Sequence, residues 1–239
     1  MRHHSPVTYQ SFTRDALARQ RYWARSFLGW PQIRNARPND GHRAVARLQR
    51  CRLLSGVITQ NVDGLHQAGG AQDVLELHGA LNRVTCLDCG EISRRARLDE
   101  RLQAANSQFH ARATQVNPDG DADLPDDELT SFVMVGCERC GGVIKPDVVF
   151  FGETVPGSRV EESFRLVDDA ACLLVLGSSL TVMSGFRFVV RAVKLGIPVA
   201  IVNQGRTRGD KHAAVRISAP LGEVLPQLAD QFAAQPNVA

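Results

Sequence analysis

Residues 57–79 read VITQNVDGLHQAGGAQDVLELHG, and the rest of the chain is organised around them. The stretch opens on Val57 and Ile58, the end of a short apolar piece that starts at Leu53 and reads as a buried strand. Strand chemistry stops at Thr59-Gln60-Asn61, and Asp63-Gly64 marks a turn. Gln60, Asn61, Asp63, His66 and His78 therefore crowd just past a strand's carboxyl end. In an open α/β sheet that edge is where a ligand sits.

Composition bounds the classes to consider. A chain of 239 residues, 44% hydrophobic and 22% charged, can bury the core of one large domain, with or without a small module. The net charge of +3 is too small to argue for a nucleic-acid partner. Its distribution is uneven: residues 1–52 hold eleven Arg against Asp15 and Asp40, a net +9, and residues 99–128 hold eight acids against Arg101 and Arg112, a net −6. Solvated faces of opposite sign account for this, with steering of an anionic cofactor or acidic partner as the sharper reading. There is no apolar run long enough to span a membrane, and MRHHSPVTYQ lacks the apolar centre of a signal peptide, so a cytoplasmic location is expected.

From Phe12 to Trp30, apolar groups at Phe12, Ala16, Trp23, Phe27 and Trp30 predict one amphipathic helix. It either packs on the main body or lines a substrate channel. Pro38-Asn39-Asp40-Gly41 predicts a turn into a second helix, with His42 as a hydrogen-bonding group at its entry. His66 reads as structural too. Asn117–Glu128 is an acidic loop whose spacing does not match a calcium-binding EF-hand. Beyond Cys140, apolar runs at 148–151, 172–176, 197–202 and 215–218 predict strands, with helices over 159–167, 186–195 and 220–232. Strands alternating with helices predict parallel βαβ units and a doubly wound sheet.

Cys86-x2-Cys89 and Cys137-x2-Cys140 are separated by 47 residues. Gly90 and Gly141-Gly142 follow the pairs and allow tight turns. Four thiolates close a tetrahedral shell with no place left for water, which is the structural kind of zinc site; redox-active dithiols are the alternative. Cys51 and Cys172 stand in apolar contexts and are expected to be buried thiols. Gly177-Ser178-Ser179-Leu180 follows the predicted strand ending at Leu176, and Asn203-Gln204-Gly205 repeats the arrangement after Val202. Small and polar residues at strand ends let backbone amides approach phosphate or ribose oxygens.

At these residues the chain resembles a known family. TQNVDGLH, the ELHG around His78, the two Cys pairs, KPDVVFFGE at 145–153 and GSSL at 177–180 look like the sirtuins, NAD-dependent protein deacylases. The long gap between Cys pairs and the run QRYWARSFLGWPQ resemble the class II branch. The resemblance implies a Rossmann-like α/β fold with an inserted zinc-ribbon module and a small helical module. The implied division is a helical segment over 1–52, an NAD-binding domain over 53–81 and 146–239, and a zinc module over 82–145.

By the same resemblance, Gly177, Ser178, Ser179, Asn203 and Gln204 would hold the adenosine of NAD, and Gly205 and Leu221 would also bind the cofactor. Gln60, Asn61, Asp63 and His78 would stand at the nicotinamide ribose, and His78, Asn61 and Asp63 would be catalytic. The acyl-lysine carbonyl oxygen would attack the sugar carbon that bears nicotinamide, and His78 would then accept a proton from the ribose as the acyl group migrates. Val149, Phe150, Phe151 and Gly152 would bind the peptide. Cys86, Cys89, Cys137 and Cys140 would hold Zn2+. The expected partners are acylated lysine side chains of proteins, with no nucleic acid and no membrane, and the expected state is a monomer. Protein ADP-ribosylation at the same NAD site and a non-catalytic, zinc-containing interaction protein are the rival readings.

Sirtuins begin with a strand and a Gly-Ala-Gly-x-Ser loop that would cradle the NAD phosphates, and Met1–Pro6 resembles the sequence just after that segment. The expectation is a start codon placed too late, with the preceding strand lying beside the one at Ile58.

Overall fold

Asp15 divides the first amphipathic run in two. Its carboxylate accepts the Leu17 N–H at 2.8 Å as an N-cap, while its own N–H closes the preceding turn on the Ser11 carbonyl at 3.0 Å. The single helix expected over 12–30 is therefore two helices. The computed structural model describes residues 6–109, 115–116, 122–123 and 128–233. Most of the acidic loop at 117–128 lies outside the described residues.

In chain order the elements are α1 (Tyr9–Arg14), α2 (Ala16–Asn35), α3 (Asp40–Arg50), β1 (Val57–Thr59), α4 (Leu65–Ala68), β2 (Val74–Glu76), β3 (Gly79–Cys86), β4 (Ile92–Arg94) and α5 (Arg95–Ala105). There follow β5 (Gln115–Val116), β6 (Ala122–Asp123), a 3-10 turn (Glu128–Ser131), β7 (Ile144–Val148), α6 (Gly157–Asp168), β8 (Leu173–Leu176) and α7 (Met183–Lys194). The last are β9 (Val199–Val202), a 3-10 turn (Asp210–His212), β10 (Val215–Ile217) and α8 (Leu221–Ala233). The strand expected over 148–151 instead ends at Val148, and the chain turns through Val149–Gly152.

The chain forms two compact units. One comprises residues 1–36, 61–64 and 78–154. Its three-stranded sheet has the order β4-β3-β7, antiparallel throughout, with a register shift between Gly79 and Val84, and β5 and β6 form a separate antiparallel pair. β7 is an edge strand, which is why Pro146 is tolerated in it. Phe12, Trp23, Leu98, Leu102, Leu129 and Phe132 are the main apolar groups of this core. A guanidinium is buried with them: Arg95 lies over the Trp23 and Trp30 rings, 5.4 and 5.0 Å from their centroids, and pairs with Asp99 at 3.3 Å. Burial pushes the Arg95 pKa down, and the Asp99 charge opposes the shift.

The other unit comprises residues 37–60, 65–77 and 155–239. It holds a parallel sheet of order β10-β9-β8 and a parallel pair β1-β2; α7 joins β8 to β9 as the alternation predicted, whereas a 3-10 turn joins β9 to β10. Ala44, Val45 and Leu48 of α3 pack against Leu225 and Ala229 of α8. His42 is the helix-entry group expected: Asn39 and His42 form a reciprocal capping box at the start of α3. The His66 ring meets that of His42, centroids 5.0 Å apart. Cys51 and Cys172 were expected inside and are exposed. Cys51 caps the end of α3 and Cys172 directly precedes β8, so both stand at element ends where the chain leaves the core.

Candidate NAD, peptide and zinc sites

The predicted site residues fall into groups that lie within one unit or the other. In the unit that carries the parallel sheet, Gln60 follows β1 and Ser178 follows β8. Gln60 Nε2 donates to Ser178 Oγ at 3.2 Å. That oxygen also accepts the Leu180 N–H at 3.2 Å, and Ser179 and Thr181 hydroxyls lie 3.0 Å apart, so the turn after β8 is closed by its own side chains.

Gly177 has φ of +58°, and a Cβ there would come within 2.7 Å of Leu221 Cδ1. Here the turn requires glycine on both counts, left-handed backbone and close approach. Because β8 and β9 pair in parallel with Leu176 beside Val202, Gly177 and Asn203 leave the sheet side by side. Asn203 Nδ2 donates to the Gln204 and Gly205 carbonyls at 2.9 and 3.3 Å. Gln60, Gly177, Ser178, Ser179, Asn203, Gln204, Gly205 and Leu221 thus belong to one set of strand ends and the helix beside them. The small residues Gly177, Ser178, Ser179 and Gly205 and the turned backbone suit a ribose and its neighbouring groups, which is the fit a dinucleotide requires.

Residues not singled out from the sequence hold this turn in place. Leu180 is buried at φ of +56°, an unusual conformation for a residue with a Cβ. The Arg208 N–H bonds the Ser179 carbonyl at 2.9 Å, its guanidinium bonds the Thr181 carbonyl at 3.2 Å, and its charge lies 4.4 Å over the Phe186 ring. Arg208 therefore grips both sides of Leu180. An Arg in a polar loop carries no signal of this in the sequence.

In the other unit, Asn61 is exposed while Asp63 and His78 are half-buried. The Leu81 N–H bonds the Val62 carbonyl at 2.8 Å, which ties the Asn61–Gly64 segment to β3. His78 immediately precedes β3, and its carbonyl accepts the Val149 N–H at 2.9 Å. The predicted base and the first predicted peptide-binding residue are therefore joined by a backbone bond. Phe150 packs edge-on against Phe12 and Tyr22, whereas the Phe151 side of the turn faces outward at 61% exposure.

The four cysteines converge as their spacing predicted. Their Sγ atoms all lie within 4.8 Å of one another, with Cys86 and Cys140 3.5 Å apart and Cys89 and Cys137 3.8 Å apart. Zinc–sulfur bonds of about 2.3 Å in a tetrahedron place sulfurs about 3.8 Å apart, so the donor set fits Zn2+. The two pairs sit on matching turns. The Gly90 N–H bonds the Cys86 carbonyl at 3.0 Å, the Gly141 N–H bonds the Cys137 carbonyl at 2.8 Å, and both glycines have positive φ.

The Cys89 N–H holds the Cys86 thiol down to about 7. Cys140 receives the Gly142 N–H, but the crowding of thiols at Cys89 and Cys86 pushes it up to about 12. Four sulfurs this close cannot all ionise without a cation among them.

The Sir2 family model matches residues 2–184. The chain belongs to the Sir2 family. This Sir2 chain is 58% identical over 229 residues to NAD-dependent protein deacetylase 1 of Streptomyces coelicolor, a match covering 96% of the chain and 77% of that relative. It is 46% identical over 221 residues to the mitochondrial NAD-dependent protein lipoamidase sirtuin-4 of Bos taurus, covering 92% and 70% of the two. Among solved structures, Sir2Tm bound to a propionylated peptide superposes with a TM-score of 0.75 at 26% identity, covering 95% of this chain and 84% of that one. Among the described residues, no helix is long and apolar enough to cross a membrane.

Proposed function

We propose that this Sir2 chain is an NAD-dependent protein-lysine deacylase of the class II type, acting on acylated lysine in extended peptide segments. The observation that carries the reading is the hydrogen bond between Gln60 and Ser178, two residues expected to bind NAD that stand 118 positions apart in the chain. Bound NAD supplies the sugar carbon that takes the acyl oxygen, with nicotinamide as the leaving group. Gln60, Asn61 and Asp63 orient the ribose hydroxyls next to that carbon. The His78 imidazole accepts a proton from one of those hydroxyls, the proton-transfer role histidine most often takes.

The Gly177–Leu180 and Asn203–Gly205 turns receive the adenosine side, and Leu221 flanks Gly177. Val149, Phe150, Phe151 and Gly152 receive the peptide, whose backbone pairs with the turn while apolar side chains wall the acyl-lysine. Cys86, Cys89, Cys137 and Cys140 hold zinc away from the chemistry, as the folding centre of the module over 82–145. The protein works as a cytoplasmic monomer, without nucleic acid or a membrane.

The test is peptide-dependent release of nicotinamide from NAD by the natural protein, with the products weighed. A free acyl-ADP-ribose and a deacylated peptide are expected. A peptide or protein gaining the mass of ADP-ribose would replace this reading with ADP-ribosyl transfer.

A further inference from the structure

We propose that Lys145 and Glu153 are a positioning pair that presets the Val149–Gly152 turn for an acylated peptide, an inference that rests on the peptide-binding reading of that turn. Lys145 is a buried cation, its side chain only 5% exposed, and Glu153 is 20% exposed. The Lys145 ammonium lies 3.1 Å from the Glu153 carboxylate and donates to the Pro146 and Val148 carbonyls. It also stands 4.7 Å over the Phe150 ring. The same Glu153 oxygen accepts the Phe150 N–H at 2.8 Å, and the Glu153 N–H returns to the Phe150 carbonyl at 3.0 Å. These partners lie between residues 146 and 153, so the pair closes the turn upon itself.

The outer side of the turn is held separately. The Tyr9 N–H bonds the Phe151 carbonyl at 2.9 Å, and Gln10 Nε2 donates to the Gly152 carbonyl at 2.9 Å. Gly152 has φ of +78°, and a Cβ there would stand 2.5 Å from Gln10 Oε1. The backbone is thus fixed at both ends while the Phe151 ring remains exposed. A buried ion pair contributes little net stability over an apolar pair of equal volume, so folding alone is a weak reason for Lys145 and Glu153 to be there. Their bonds do set the direction of the Phe150 N–H and the path of residues 149–152. A turn already held in its binding conformation spares the peptide the cost of ordering it.

The test combines chymotrypsin cleavage after Phe151 with the affinity of a fluorescent acetyl-lysine peptide. The proteins are the wild type, Glu153→Gln, and the apolar double variant Lys145→Met/Glu153→Met. Peptide is expected to protect the wild type at Phe151. In both variants cleavage at Phe151 should be faster, and peptide affinity weaker, by about tenfold, as expected when the competent conformation becomes a minor one. The double variant should keep the zinc content and thermal midpoint of the wild type, which separates positioning from packing. Wild-type cleavage and affinity in the double variant would overturn the inference, whatever the stability of Glu153→Gln. Failure of the peptide to protect the wild type would instead overturn the reading of the turn as the peptide side.

Discussion

Gln60 Nε2 donates to Ser178 Oγ at 3.2 Å, which joins the carboxyl end of β1 to that of β8. Gly185, in the first turn of α7, makes room for the bond: a Cβ there would lie 2.8 Å from both amide atoms of Gln60. The absence of a side chain at one position therefore sets the direction of a polar group at another.

Gly185→Ala is expected to weaken NAD affinity by several-fold, about the loss of one net hydrogen bond. The atoms displaced are the end of a flexible side chain, so the thermal midpoint should hardly change. Titration calorimetry with NAD and a thermal melt of the same samples check both parts.

His78→Ala should lower turnover by about a hundredfold or more, the usual share of a positioned general base. The His78 carbonyl, which holds the Val149 N–H, is retained in the variant, so the peptide turn and the fold should persist. Unchanged turnover would remove His78 from its proposed role.

One zinc per chain is expected in the reduced protein, held by Cys86, Cys89, Cys137 and Cys140. Cys137→Ser should lose the metal and lower the thermal midpoint, because a metal held by four thiolates ties the two turns together and its binding free energy adds to that of folding. Elemental analysis finding no zinc in the wild type would refute the assignment.

Arg95→Met should destabilise the protein by about 3–5 kcal/mol, chiefly because Asp99 would be left as a buried and unpaired charge. Adding Asp99→Leu should return most of that loss, since the Arg95 site is buried against the Trp23 and Trp30 rings and accepts apolar groups. Chemical denaturation of the single and double variants measures the difference.

What the sequence by itself determined is local or repeated. The Cys-x2-Cys spacing with glycine just beyond specifies two tight turns, because such turns bring thiols three positions apart onto one centre. The alternation of apolar strands and amphipathic helices after Cys140 specifies parallel crossovers, and the polar residues after Ile58, Leu176 and Val202 mark the strand ends proposed to bind NAD. Only the tertiary structure decided which of these ends share a hydrogen bond. It also decided that Arg95 lies over two tryptophan rings, that Lys145 reaches Glu153, and that Cys51 and Cys172 are exposed. The physical reason is range. Turn geometry and periodicity depend on neighbours along the chain and are written there, whereas burial and pairing depend on side chains that meet after folding.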